Sequence, residues 1–343
     1  MQQGLIPALG GTYTPDEAGT SPASEEAYDL YLRGIATSHD PAGNREAISI
    51  LEHSVGIDPG YAPAWEALGL RYYYESVYGN GGGRALGLSD SSYERALLLD
   101  PSLISAASSL IADHTERGEI GKASAEAVAL VKRRPESAQA HFALAYVLRY
   151  AGLLEEAAHE CQTAVALDRH NYQFRSCALP FMLLNQPQMA MEFVHLDAAS
   201  DWSARTTAYI LLGQGKLEEA LQSMERISIY RQEMHVDLFE ACFDSSKRPA
   251  LDRLSHRAEA AAEAGVDPET RYLVGSLLFR CGEKRGALRL LRSALEHNYC
   301  AVTALQTDPL LEELRRGQEY SALLPIARDC QSKFVKALKQ GAN

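Results

Sequence analysis

Residues 138–171 read AQAHFALAYVLRYAGLLEEAAHECQTAVALDRHN. Leu144, Ala145 and Leu148 recur at helical spacing and stop at Gly152; a second apolar series then runs through Ala157, Cys161, Ala164 and Leu167. The stretch predicts a helix, a turn at glycine and a second helix. Gly152 suits the left-handed residue that closes a first helix, while Glu155 and Glu156 put negative charge on the first turn of the second. The unit recurs. Pro101 precedes Pro135, Gly118 precedes Gly152 and Ala123 precedes Ala157, each by 34 residues. Asp58-Pro59, Asp100-Pro101 and Asp267-Pro268 end second helices elsewhere, because proline cannot continue a helix. Each period is therefore an antiparallel helical hairpin.

Trp65-x-x-Leu68-Gly69-x-x-Tyr72 resembles the first-helix signature of the tetratricopeptide (TPR) repeat, and Ala96 to Pro101 resembles the end of its second helix. On that resemblance Gly34, Gly69, Ala145, Ala208 and Gly275 take the small position of the first helix. Ala47, Ala123, Ala157, Ala220 and Ala287 take the early one of the second, and Ala96, Ala164 and Ala294 the later, with Ser54 as a variant. Small residues belong there because paired helices approach closely and a larger side chain would force them apart. The implied fold is all-α: a right-handed superhelical α-solenoid of about eight hairpins. The expected divisions are an N-terminal linker over residues 1–24, the solenoid over 25–307 and C-terminal capping helices over 308–339.

Three stretches depart from the period. Eight surplus residues fall around Gly79-Asn80-Gly81-Gly82-Gly83 and predict a protruding loop between the two helices of that repeat. The unit Tyr172 to Ala199, with Pro180 and Pro187, is compressed, and Glu233 to Gly265 is diverged.

The resemblance implies that first helices line a concave groove. The positions expected to face it are Tyr31, Tyr73, Tyr74, Phe142, Tyr146, Arg149, Tyr150, Trp202, Arg205, Tyr209, Tyr272, Phe279 and Arg280. Tyr, Trp and Arg dominate binding hot spots, which makes capture of a peptide or protein the expected function. The carboxylate clamp of chaperone-binding relatives needs Asn at the ninth position of successive repeats; here stand Leu70, Ala112 and Tyr146, which disfavours that subclass. The blocks Ala27–Gly34, Asp58–Trp65 and His141–Gly152 also resemble repeat regions of bacterial signalling proteins that carry kinase, cyclase or winged-helix domains. That likeness would make Gly10 to Ser24 a linker from an upstream domain. Two other readings stay open: a small-molecule or enzymatic site near the irregular unit 172–199, and an architectural role in which the aromatic face self-associates into a homo-oligomer.

No motif in the chain points to catalysis, a cofactor or a metal. Arg84-Ala85 follows the glycine cluster where a phosphate loop needs Lys and then Ser or Thr. His141 and Cys161 are expected in contact inside one hairpin as core packing, His159 faces elsewhere, and His297-x-x-Cys300 lacks two further zinc ligands. Glu155-Glu156 and Glu218-Glu219 read as solvated helix starts. The 343 residues hold 33 Lys plus Arg against 45 Asp plus Glu, a net charge of −12 that disfavours nucleic acid as the main partner. No apolar run approaches a membrane span; Cys177 to Leu184 is the longest candidate. Tyr320 to Lys339, basic and amphipathic, reads as a capping helix before a membrane-surface one. Met1 to Gly11 has no basic residue, which predicts a cytoplasmic protein, or a periplasmic one if the chain belongs to a membrane-anchored regulator. Six cysteines without a Cys-x-x-Cys pair are expected as reduced thiols.

Overall fold

Ser24 and Asp40 begin the architecture as caps. The Ser24 hydroxyl accepts from the Ala27 amide at the start of helix α1 (Glu25–Ala36), and Asp40 accepts from Ala42 and Gly43 at the start of α2 (Pro41–Ile57), whose first residue is a proline. The computed structural model describes residues 21–227 and 229–341, with side chains left undescribed at 229–234, 337 and 339–341. The expected linker therefore lies outside the described residues up to position 20. Among the described residues the chain is helical with no strand.

The chain divides between Leu110 and Ile111 into two compact units. Unit 1 holds α1, α2, α3 (Ala62–Tyr78), α4 (Gly82–Leu99) and the first half of α5 (Ile104–Glu116). Its crossings are as tight as the small residues require. A Cβ on Gly34 would lie 2.6 Å from the Leu51 side chain, and one on Gly69 would lie 2.9 Å from the Tyr93 ring. Ser54 donates to the Ala27 carbonyl and Ser89 to the Gly69 carbonyl, tying second helix to first. The glycine-rich surplus does not form a protruding loop. Instead α3 has 17 residues and α4 has 18, and Gly79 to Gly81 alone link them. Ala85 and Leu86 just after the glycines are buried, so packing of α4 against its neighbours resumes directly behind the link and holds the flanking residues helical.

Unit 2 continues with α6 (Ile120–Arg133), α7 (Ala138–Tyr150), α8 (Leu154–Leu167), α9 (Ala178–Leu183), α10 (Pro187–Val194), α11 (Asp201–Gly213), α12 (Leu217–Glu225), α13 (Ile229–Phe243), α14 (Leu251–Ala264), α15 (Pro268–Arg280) and α16 (Lys284–Glu296). Neighbouring helices pair as hairpins: α1/α2 and α3/α4 in unit 1, then α7/α8, α9/α10, α11/α12, α13/α14 and α15/α16 in unit 2. A turn at Gly118 joins α5 to α6. Gly118, Gly152, Gly215 and Gly282 close four first helices at φ of 72 to 91°, and Asn185 does the same for α9 at 56°. Ala123, Ala157, Ala208, Ala220, Ala287 and Ala294 are fully buried at the crossings. The irregular unit is compressed as its length demands: a 3-10 turn over Tyr172–Cys177, then six- and eight-residue helices.

The cysteines overturn the reading of reduced thiols. All six pair, Cys161 with Cys177, Cys242 with Cys281 and Cys300 with Cys330, with Cα atoms 5.1 to 5.7 Å apart. Partners lie 16 to 39 residues apart because tertiary packing of separate elements, not local spacing, brings them together. His141 is accordingly not a neighbour of a free thiol; it bonds Glu160 at 2.6 Å and the Pro135 carbonyl at 2.9 Å.

After α16 the chain turns at Asn298 and runs as a strap along the hairpin turns of unit 2. Asn298 donates to the Gly118 carbonyl (2.9 Å), the Cys300 amide to the Tyr150 carbonyl (2.8 Å) and Thr303 to the Gly152 carbonyl (3.1 Å). Thr307, at the end of α17 (Val302–Thr307), donates to the Leu183 carbonyl (2.6 Å), and Pro309 abuts Gly213. Four successive turns are thus laced in order. The last helix, α18 (Gln318–Gly341), packs on α16 and α6, and its Gln331 donates to the Ala151 and Gly152 carbonyls.

Candidate functional site

The first-helix face differs sharply between the two units. In unit 2 it is filled by the chain itself. On α7, Tyr146 and Tyr150 stack at 5.3 Å and the Arg149 guanidinium lies 4.3 Å from the Tyr146 ring centre. The N-terminus of α15 closes over them: Glu269 meets Arg149 at 2.8 and 3.0 Å, and Asp267 accepts from the Tyr150 hydroxyl at 3.0 Å. Tyr146 donates to Glu116 at 2.6 Å, and Arg149 also donates to the Ser176 carbonyl. From the strap, Tyr299 packs edge-on against Tyr150 and donates to Glu269, while Asp308 accepts from Tyr272.

Arg149, Tyr150 and Tyr272 are buried and Tyr146 is half-buried, and all four of these expected groove residues address partners in their own chain. Burial pushes the Tyr146, Tyr150, Tyr272 and Tyr299 hydroxyls well up, which keeps them protonated as donors. It also lifts the Glu269 carboxyl to about 7, against the pull of the Arg149 charge. This is a polar core paired within the chain rather than a set of poised nucleophiles.

The other expected residues of unit 2 are scattered around that core. Phe142 is half-buried against Phe174 at 5.1 Å, and Trp202 is half-buried with Arg175 5.6 Å over its ring. Arg205 is half-buried, Tyr209 and Phe279 are buried, and Arg280 is exposed at the end of α15. Tyr209, Met182, Asn185, Gly213, Ser276 and Asp308 line a cleft beside the irregular unit whose volume, about 20 Å³, holds roughly one water molecule. A small-molecule site there lacks room. Among the described residues no group of three His, Cys, Asp or Glu could hold a metal ion, and no helix is long and apolar enough to cross a membrane.

In unit 1 part of the corresponding face is exposed. Tyr73 and Tyr74 are half-buried, with ring centres 6.0 Å apart; Tyr78 follows Tyr74 at 5.9 Å, and His39 meets Tyr74 edge-on at 5.2 Å. Ile35, Val77 and Tyr78 are 43 to 46% exposed. The lengthening of α3 supplies Val77 and Tyr78. Tyr31 packs on Tyr28 and Tyr61 at the other end of the hairpin.

The residues that fix this face carry little sequence signal. Arg71, 2% exposed, reaches across to α1 and donates to the carbonyls of Gly34, Ile35, Thr37 and Ser38, which satisfies the end of that helix. Asn44 in turn donates to the Arg71 carbonyl. Glu269 and Glu116, which organise the core of unit 2, were equally silent. Asp267 alone was visible, as the start of an Asp-Pro pair, and it does cap α15 through Glu269 and Thr270.

The fold is that of TPR-like helical hairpins. Among solved structures the chain is similar to the human IFIT1 dimer with m7Gppp-AAAA, with TM-score 0.56 and 11% identity over 94% of this chain and 75% of that one. A monomeric IFIT1 mutant with Gppp-AAAA gives 0.54 and 11% over 85% and 74%. A thermophilic TPR protein of Thermus thermophilus gives 0.41 and 19% over 56% and 98%. At these identities the likeness concerns the fold alone. No protein-family model and no curated protein matches the chain.

Proposed function

We propose that the protein is a non-enzymatic scaffold that captures a peptide or protein on the first-helix face of unit 1, while unit 2 serves as a self-filled, cross-linked body. One contrast carries this reading: on α3 Val77 and Tyr78 stand exposed beside half-buried Tyr73 and Tyr74, whereas Arg149, Tyr150 and Tyr272 are buried against their own chain. An aromatic row at a helix face is the kind of surface on which binding energy concentrates. The IFIT1 structures hold capped RNA, but on unit 1 an anion is disfavoured, because Leu110 and the residues before it include five Arg, no Lys and fourteen Asp or Glu. Membership in a larger bacterial regulatory protein rests on the resemblance of the blocks around Gly34, Trp65 and Gly152. Three disulfides support an oxidising location, such as the periplasm or the cell exterior, over the cytoplasm.

Capture from lysate with quantitative mass spectrometry tests the reading. A partner retained by the wild-type chain should be lost on the double substitution Tyr74→Ala, Tyr78→Ala with the melting temperature unchanged. Retention of every partner by that variant, with loss on Arg280→Ala instead, would move the site to unit 2.

A further inference from the structure

Where α5 turns into α6 in unit 2, a carboxylate, an imidazole and an amine stand in line. His114 lies on the last turn of α5 and is 1% exposed, while Lys122 and Glu126 sit one turn apart on α6. The Lys122 ammonium is 2.9 Å from His114 Nε2, and Glu126 Oε2 is 2.8 Å from His114 Nδ1. An ammonium can only donate, so Nε2 holds the lone pair and Nδ1 carries the proton that Glu126 accepts. Lys122 itself is exposed. A nucleophile within hydrogen-bond reach of a base, with the base oriented by a third group, is the arrangement by which side chains are activated for attack.

The position of the lysine does not create this by itself. Lys216 and Lys284 are also exposed at the starts of second helices, α12 and α16, and among the described residues neither meets an imidazole. Other charges at the α5/α6 turn have their own partners: Arg117 pairs with Glu119 at 3.1 Å, and Glu116 accepts from Tyr146.

We infer, independently of the face proposed on unit 1, that Lys122 is a modification site whose amine takes an acyl group from an activated ester. The ammonium gives one proton to His114 Nε2, which passes it to water, and the freed lone pair attacks the ester carbonyl carbon. A carbon–nitrogen bond forms, the bond to the leaving oxygen breaks and its electron pair departs with that oxygen. The second amine proton then leaves through His114. Glu126 holds the ring in the required tautomer and stabilises the imidazolium formed each time. The product is a stable amide, so each chain reacts once and the turn loses the positive charge of Lys122.

The test exposes the full, disulfide-bonded chain to p-nitrophenyl acetate at neutral pH and follows acetylation of each lysine by peptide mass spectrometry. Lys122 should be acetylated about tenfold to a hundredfold faster than Lys216 and Lys284 through its positioned base. Glu126→Ala and His114→Asn should each bring it down to the rate of those two, with circular dichroism melting checking that the fold is kept. His114 is buried, so if His114→Asn loses its fold, Glu126→Ala decides. Equal rates at the three lysines of the wild-type chain would overturn the inference. So would a Lys122 that stays fast in Glu126→Ala, which would trace its rate to accessibility. An equal loss on Glu119→Gln would trace the rate to local charge and overturn the relay as well.

Discussion

Replacing Gly152 by alanine measures what the strap contributes, because three glycines at one repeat position share a conformation and differ in surroundings. Gly118, Gly152 and Gly215 have φ of 75, 72 and 74°. A Cβ at Gly215 meets nothing within 4 Å, one at Gly118 would lie 2.7 Å from the His297 carbonyl oxygen, and one at Gly152 would lie 1.8 Å from the Cys300 carbonyl oxygen. Left-handed strain alone costs about 1 to 2 kcal/mol, partly offset by the lower entropy of the unfolded alanine chain, so Gly215→Ala should cost about 1 kcal/mol. At Gly152 the strap must also withdraw. That breaks the bonds from the Cys300 amide to Tyr150 and from Thr303 and Gln331 to Gly152, each contributing about 1 kcal/mol. Gly152→Ala should therefore cost about 3 to 4 kcal/mol, with Gly118→Ala between the two. Urea unfolding followed by far-ultraviolet dichroism gives the differences as midpoint shifts at constant slope. Equal costs at Gly152 and Gly215, within about 0.5 kcal/mol, would refute the strap's contribution.

Three other outcomes follow from the same structure. Ala157→Leu should destabilise by about 1 to 3 kcal/mol through overpacking of the α7/α8 crossing, and a neutral result by the same denaturation assay would contradict that packing. Removing Cys161 and Cys177, which close a 16-residue loop, should cost about 3 kcal/mol, and removing Cys242 and Cys281, which close 39 residues, about 1 more. Alkylation of the folded, unreduced chain followed by mass spectrometry should label no cysteine. Glu269 is held near 7, above its ordinary 4.5, so the folded state binds the proton more tightly than the unfolded one. Its contribution is fully present below about pH 4.5 and is lost as pH rises through about 7. Melting temperature should accordingly fall between about pH 4.5 and 7, and Glu269→Gln should flatten that decline.

The hairpins were legible because their determinants are local and repeat: Gly118, Gly152, Gly215 and Gly282 end helices, and Ala123, Ala157, Ala220 and Ala287 mark crossings. What was not legible depends on distant parts of the chain. Tyr150 and Tyr272 carry the residue types and spacing of a binding face, yet Asp267, Tyr299 and Asp308 cover them from 36 to 149 residues away. The glycines at 79 to 83 are composed like a loop, but buried Ala85 and Leu86 beyond them favour helix. Disulfide partners could not be read either, since each bond joins separate elements: α8 and the 3-10 turn, α13 and the end of α15, and the strap and α18.

The lacing of four turns by residues 298–309 alters how unit 2 must come into being. An array of hairpins that touch only their neighbours can nucleate anywhere, grow stepwise and tolerate loss of an end repeat. Here the α5, α7 and α9 turns wait for segments synthesised more than 120 residues later. Such non-local closure slows folding and makes it concerted. Ribosome-bound chains ending before Asn298 should thus hold unit 1 as a finished module and unit 2 as an unsealed intermediate, a state that shortened versions of the protein would share.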